Sequence, residues 1–238
     1  MLADGLSGNC EGKGGFTLIP PDWLDWEQRW PLLLKVIQQT DADIVALQEV
    51  DHVDQWVEAM DGLGYEGQVR IDERSPCLKA SRGDPATGEK FPDAVALFWR
   101  KGRLSMDECQ HGVDGEYKTK VLTARLRCLE SGAYFVAVNM HLDSKKSEKG
   151  VRIRAEQSRN MLSEVSAFAQ HETKPAAAVF IAGDLNATRA EECHSSILQA
   201  DFGDRLGAIR DAYADAGFSE DFTSLKIRTG SFKAGKAK

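Results

Sequence analysis

The 238-residue chain lacks long apolar runs, paired cysteines and any excess of basic residues. Its longest apolar run, residues 176–182, falls far short of the ~20 residues that cross a bilayer. The five cysteines form no C-x-x-C pair, which indicates reduced thiols and disfavours a structural zinc site. The N-terminal residues show no secretory signal pattern. We therefore expect a cytoplasmic protein without a membrane partner, with a mitochondrial location left open.

The net charge of −7 is concentrated near the N-terminus, where residues 1–60 hold 11 acidic and 3 basic residues. A protein that binds nucleic acid over a broad surface usually carries a basic stripe, and the chain has none. A small phosphate-bearing substrate held through a metal ion is compatible with this charge. The composition is that of an ordinary globular protein, and the length allows one large domain or two small ones. Our expectation is a monomer with one domain over 1–238, in which residues 229–238 form a flexible basic tail.

Hydrophobic periodicity predicts both strands and helices along the chain. Residues 131–132 (Ser-Gly) indicate a hairpin between two adjacent strands. The predicted strands cover residues 43–47, 65–71, 93–99, 121–129, 133–139 and 176–181. The predicted helices cover residues 31–39, 54–60 and 151–169, the first of them beginning at Pro31 because proline fits best in a first helical turn. Hairpin strands combined with helix-linked strands predict an α/β or α+β fold with mixed sheets.

Polar side chains stand just beyond the ends of three predicted buried strands: Glu49, His141, and the pair Asp184 and Asn186. Rigid scaffolds commonly present catalytic groups at such positions. Carboxylate oxygens suit Mg²⁺ or Mn²⁺, and a histidine can donate to a phosphate or move a proton. Taken singly, however, Glu49 is more typical of a cap or a surface ion pair, and His141 is more typical of a structural histidine.

The order of three segments changes this balance. Residues 43–51 (DIVALQEVD), 139–142 (NMHL) and 181–186 (IAGDLN) occur in sequence, accompanied by residues 75–78 (SPCL) and 222–228 (FTSLKIR). The set resembles the endonuclease/exonuclease/phosphatase superfamily, and within it the branch of nocturnin-type and carbon-catabolite-repressor-type deadenylases. That resemblance implies a deoxyribonuclease-I-like four-layer sandwich of two mixed β-sheets flanked by helices.

The resemblance also implies a magnesium-dependent hydrolase. Glu49 would bind the Mg²⁺ (or Mn²⁺), Asp184 would orient or deprotonate the attacking water, Asn186 would position that water and the phosphate, and His141 would donate to the phosphate. Arg74 and Lys145 would bind the substrate phosphate. The substrate would be a nucleotide or an RNA 3′ end, as in an NADP(H) 2′-phosphatase or a poly(A) 3′-exonuclease.

The chain departs from the family pattern at both ends. The pattern has an Asn before the segment at residues 2–6 and, after residues 226–228, an Asp strand and a Ser-Asp-His motif; none of these is present. Asp143 also stands where the nocturnin-type branch has a substrate-binding Lys, for which Lys145 is a candidate replacement. The resemblance therefore implies a domain shortened at both ends, without its C-terminal strands. A catalytically impaired nucleotide-binding or regulatory remnant stays open as an alternative, as does an unrelated interaction module.

Overall fold

The computed structural model describes residues 2–7, 19–79, 87–112, 119–204 and 206–217. The helices are α1 (Asp4–Ser7), α2 (Trp26–Thr40), α3 (Val53–Gly62), α4 (Glu148–Ala169), α5 (Glu192–Leu198) and α6 (Ala212–Asp215), with 3₁₀ turns at Pro21–Leu24 and Pro76–Lys79. The strands are β1 (Ile44–Val50), β2 (Tyr65–Ile71), β3 (Ala94–Arg100), β4 (Leu104–His111), β5 (Lys120–Cys128), β6 (Tyr134–His141) and β7 (Ala176–Asp184).

The strands form two sheets. The first has the order β1-β3-β2 and is antiparallel throughout. The second has the order β4-β5-β6-β7 and is mixed, because β7 runs parallel to β6 while the other pairs are antiparallel. The parallel pair needs a crossover, which α4 supplies. The carboxyl ends of β6 and β7 consequently lie side by side.

Three apolar clusters separate four layers. One lies between α2, α3 and the first sheet and includes Trp56 and Phe98. A second lies between the two sheets and includes Leu97 and Leu122. The third packs the second sheet against α4 and α5 and includes Met161. The predicted four-layer sandwich with flanking helices is therefore confirmed.

The predicted start of α2 at Pro31 is wrong. The helix begins at Trp26 and holds Pro31 in its interior, although an interior proline removes one hydrogen bond and costs about 3 kcal/mol or more. The helix continues because its first turns pack on aromatic rings. Trp30 meets Trp26 at 5.5 Å and Trp56 edge-on at 4.7 Å between ring centroids.

Strand β4 is absent from the prediction, whereas β2 is predicted with its observed bounds. Most residues of β4 are not buried, and a register shift between Met106 and Glu108 breaks its alternation, so no regular pattern marks it. The four described cysteines are free thiols. No helix among the described residues is long and apolar enough to cross a membrane. The predicted tail at 229–238 and the segment 222–228 lie outside the described residues.

Candidate active site

Glu49 lies at a bulge near the end of β1. The pairing of β1 with β3 steps from Gln48 to Val50, which leaves Glu49 without a cross-strand partner. Its φ is +59°, in the left-handed region that costs a non-glycine residue about 1–2 kcal/mol. Its Oε2 accepts a hydrogen bond from the backbone N–H of Ala3 at 3.1 Å. Bulges redirect side chains next to functional sites, and strained residues cluster there, so Glu49 has the backbone of a functional residue.

His141 ends β6 and is buried, with 8% of its surface exposed. It pairs with Lys120 of β5 on one side and with Asp184 of β7 on the other. Burial lowers the pKa of His141, and Lys120 lowers it further, whereas the carboxylates of Glu49, Asp184 and Asp93 act in the opposite direction. The imidazole is therefore neutral at pH 7. Its Nδ1 is buried and has no hydrogen-bond partner among the residues that the structure describes.

Asp184 ends β7, and Asn186 follows it in a tight turn. The turn starts at Gly183, where φ is +148° and a Cβ would lie 2.0 Å from the carbonyl oxygen of Met140. Oδ1 of Asp184 accepts from the backbone N–H of Asn186 at 2.8 Å, and Asn186 has a φ of +49°. Nδ2 of Asn186 donates to the carbonyl of Leu142 at 3.0 Å. The structure thus joins Asp184 and Asn186 to the residue that follows His141.

A buried amide clip, which sequence reasoning missed, holds the two sheets together beside these residues. Asn139 is fully buried, and its Nδ2 donates to the carbonyls of Leu47 and Ala96, both at 2.8 Å. Its Oδ1 accepts from Nε2 of Gln48 at 2.6 Å. The clip fixes the end of β1 against the end of β6. Both amides stand in the motif segments, but only the strand register reveals that they meet.

Lys120 is a second residue that the sequence did not single out. Its ammonium lies 2.6 Å from Oδ2 of Asp93 and 3.0 Å from Oδ2 of Asp72. Burial by itself lowers the pKa of Lys120, but the two carboxylates outweigh burial and raise it. Asp93 is 1% exposed and also accepts from the hydroxyl of Ser75. The group places a fixed cation one strand away from His141.

The two predicted phosphate-binding residues have looser surroundings. Arg74 is exposed, and its backbone N–H donates to Oδ1 of Asp72 at 3.0 Å. The side chain of Lys145 is 67% exposed, and its ammonium lies 3.7 Å from Oδ2 of Asp143. Lys145 thus offsets the charge of Asp143 in the loop after His141. The cation that the structure pairs directly with His141 is Lys120.

The side chains near His141 offer few ligands for the predicted divalent metal. Among the described residues, no group of three or more His, Cys, Asp or Glu side chains is arranged to hold a metal ion. A zinc site needs three or four protein ligands, whereas Mg²⁺ is commonly held by one or two carboxylates and keeps several waters. A site for Mg²⁺ therefore does not require such a group. Glu49 supplies such a carboxylate at the end of a strand, beside a buried imidazole whose Nδ1 has no partner among the described residues. The chemistry of Glu49 therefore fits a site for Mg²⁺ or Mn²⁺, in which Glu49 would be the ligand.

Comparison with known proteins gives the family. The Endonuclease/Exonuclease/phosphatase family matches residues 9–211, most of the chain. The chain belongs to the endonuclease/exonuclease/phosphatase family. All three activities in that family name hydrolyse phosphoester bonds. The family resemblance predicted from the ordered motif segments is confirmed.

The relatives within this family include nocturnins. The chain is 29% identical over 205 residues to nocturnin of Drosophila melanogaster, a match that covers 84% of this chain and 30% of that protein. It is 28% identical over 238 residues to nocturnin of Homo sapiens, a match that covers 96% of this chain and 51% of that protein. The chain thus spans about half or less of the length of these relatives.

Solved structures of the family share the fold. The human nocturnin catalytic domain with bound sulfate anion superposes with a TM-score of 0.65 at 27% identity, covering 74% of this chain and 63% of that chain. ANGEL2, a 2′,3′-cyclic phosphatase, in complex with adenosine-2′,3′-vanadate, superposes with a TM-score of 0.66 at 20% identity, covering 83% of this chain and 54% of that chain. At that identity the second match bears on the fold alone.

Proposed function

We propose that the chain is a Mg²⁺- or Mn²⁺-dependent phosphoesterase that acts on a phosphate of a nucleotide or of RNA. One observation carries the proposal: Asp184 pairs with the buried His141 across β6 and β7, and Glu49, far away in sequence, also lies close enough to raise the pKa of His141. A carboxylate for a metal, a carboxylate for water and a neutral imidazole can together carry metal-dependent phosphoester hydrolysis.

Each residue has a proposed role in this reaction. Glu49 holds the metal, which when bound would act as a Lewis acid and template. Asp184 orients or deprotonates the attacking water. Asn186 helps to position water and phosphate with the second N–H of its amide, since one already donates to Leu142. These roles agree with the side-chain chemistry and with the positions at the strand ends.

His141 acts as a neutral hydrogen-bond donor in this proposal. Burial and Lys120 keep its pKa low, so one ring nitrogen carries a proton and the other does not. A donor held by strand pairing on both sides needs no rearrangement as negative charge builds on the phosphate. Lys120 adds positive potential from the neighbouring strand.

The charge distribution favours a small nucleotide over long RNA as substrate. The net charge of −7 and the absence of a basic stripe in the sequence argue against a long electrostatic contact with a phosphate backbone. The 2′-phosphate of NADP(H) is therefore the first substrate to test, and a poly(A) 3′ end the second. A nucleotide-binding remnant without turnover is the alternative outcome, and the lack of a cluster of three metal-ligating side chains among the described residues is the observation in its favour.

The proposal is tested by phosphate release from NADP⁺ and AMP release from short poly(A), each with and without Mg²⁺. We expect turnover that depends on Mg²⁺ and falls by about 10²-fold or more in Asp184→Ala. Asp61→Asn is the matched control, because it removes an exposed carboxylate at the end of α3 that pairs with Lys101. This control should keep full activity.

Two results would contradict the proposal. Turnover that survives Asp184→Ala would show that the assigned residues do not carry it. Nucleotide binding by the folded protein without any metal-dependent turnover would instead favour the remnant.

A further inference from the structure

Arg154 of α4 is a buried cation that the proposed chemistry does not use. The residue is 1% exposed, yet all its guanidinium nitrogens donate hydrogen bonds. Nε and Nη2 donate to Oε2 of Glu191 at 2.9 and 2.5 Å. Nη1 donates to the carbonyls of Asp143 at 3.0 Å and of Lys145 at 2.6 Å. One side chain therefore connects two separate loops.

The first loop, residues 142–147, follows His141. Besides Arg154, other residues of α4 contact it. Oε1 of Gln157 accepts from the backbone N–H of Asp143 at 3.0 Å. A Cβ at Gly150 would lie 2.2 Å from the carbonyl oxygen of Lys145, so the helix and the loop are in close backbone contact.

The second loop, residues 185–191, follows Asp184 and contains Asn186. Glu191 ends it and also accepts from the backbone N–H of Thr188 through Oε1 at 3.3 Å. The two loops touch each other as well, because Nζ of Lys146 donates to the carbonyl of Asn186 at 3.2 Å. A displacement of either loop at the Arg154–Glu191 ion pair would therefore displace the other loop as well.

We propose that the Arg154–Glu191 pair is a positioning device that locks the loops behind His141 and Asp184 in one arrangement. The inference rests on the function proposed above. A guanidinium is required because its planar fork reaches Glu191 and two carbonyls at once, which a lysine ammonium cannot do in the same geometry. Since α4 is packed along the second sheet, the ion pair anchors both loops to the apolar core between the helix and the sheet. Neither residue touches the reacting atoms.

Arg154→Lys tests this role, with Arg125→Lys as the matched control. Arg125 is also 1% exposed and donates to two carbonyls, those of Lys174 at 2.9 Å and Phe168 at 2.5 Å. Its contacts lie around the C-terminal end of α4, whereas those of Arg154 lie around the N-terminal end. Both variants keep the charge and lose the fork, so general destabilisation should be similar in the two.

The first readout is amide hydrogen exchange in the full chain, which does not depend on activity. We expect Arg154→Lys to accelerate exchange in residues 142–147 and 185–191 together, and Arg125→Lys to leave both loops unchanged. The second readout is steady-state kinetics at a temperature where both variants are fully folded. Misplacement of catalytic groups by about 1 Å can cost on the order of 10²-fold, so kcat of Arg154→Lys should fall by about 10- to 100-fold with little change in KM.

Acceleration in only one loop, or equal losses of kcat in the two variants, would overturn the proposal. An inactive wild-type chain would refute the proposed function but leave the exchange experiment decisive for the pair. If Arg154→Lys does not fold, Glu191→Gln keeps the shape and one oxygen that can accept from Arg154, while removing the charge. It should then raise exchange in both loops by a smaller factor, and unchanged exchange would contradict the coupling.

Discussion

The carboxylates at the two ends of the first sheet have different kinds of partners. At the end where β3 finishes, Arg100 lies 2.5 Å from Asp41, and Arg103 lies 2.7 Å from Asp43. At the end where β1 finishes, Glu49 accepts from a backbone N–H, on a bulge with positive φ, beside a buried histidine. The first arrangement is a set of partly exposed ion pairs. The second keeps a carboxylate on a strand bulge, next to an imidazole nitrogen that has no partner in the part of the chain that the structure describes. Positive φ does not distinguish the two ends, because Asp41 has a φ of +48°. The carboxylates differ in their partners and in the strand bulge that carries Glu49.

Glu49→Gln should produce the largest effect on turnover, and it tests whether the two ends of the first sheet differ in function. The variant keeps the size and the hydrogen bond from Ala3 but loses the negative charge that would hold the metal. We expect Mg²⁺-dependent turnover to fall by about 10²-fold or more, because metal stabilisation of the developing charge is worth several kcal/mol. Kinetics over a range of Mg²⁺ concentrations measures this, and wild-type activity in the variant would break the comparison.

Lys120→Met should have the largest effect on stability. It leaves Asp93, 1% exposed, without its cationic partner, and an uncompensated buried charge typically costs about 3–5 kcal/mol. The pKa of Lys120 is raised above 10.5, so the lysine is charged at pH 7 and at pH 9. The ion pair therefore stabilises the folded protein at both pH values, and this stabilisation is lost only as the pH rises through the folded-state pKa of Lys120. Urea unfolding at pH 7 and pH 9 should therefore give the same loss, and a stability close to that of the wild type would contradict the role of the pair.

Asn139→Leu should have an intermediate effect. Gln48 and two strand carbonyls lose their partner inside the sandwich, at a cost of about 1–3 kcal/mol for buried polar groups left unsatisfied. Activity should fall beyond what the unfolded fraction explains, because the end of β1 is no longer fixed against the end of β6. Denaturant unfolding and kinetics on the same preparation separate the two effects, and an unchanged kcat would argue against the clip.

Asp41→Asn should have the smallest effect. The side chain of Asp41 is 79% exposed, and a surface ion pair is usually worth no more than about 1 kcal/mol. We expect a small change in thermal midpoint and unchanged turnover. A large loss of activity would mean that the two ends of the sheet are not functionally distinct.

The sequence predicts the features that depend on residues close together in the chain. Strand β2 and the hairpin between β5 and β6 are confirmed, and they follow from apolar patterning and turn residues. The roles of Glu49, His141 and Asp184 stay predictions, which rest on the ordered motif segments. Strand β4 was missed because an irregular, mostly exposed strand has no alternation, and α2 was shortened because packing overrides the preference of proline.

Residues that act across the fold were beyond the reach of the sequence. Lys120 faces His141 only through the register of β5 and β6. Asn139 meets Gln48 only when the two sheets stack, and Arg154 reaches Glu191 only when α4 lies over the loop after β7. Each depends on contacts between residues distant in the chain, which no single-segment pattern contains.

The most direct test of the central claim is paramagnetic broadening of the histidine ring signals by Mn²⁺ in the full chain. If Glu49 holds the cation beside His141, the His141 resonances should broaden at low Mn²⁺ while those of His171, an exposed residue that follows α4, stay sharp. Glu49→Gln should abolish the broadening and Asp61→Asn should preserve it. Equal broadening of both histidines, or broadening that survives Glu49→Gln, would contradict the account.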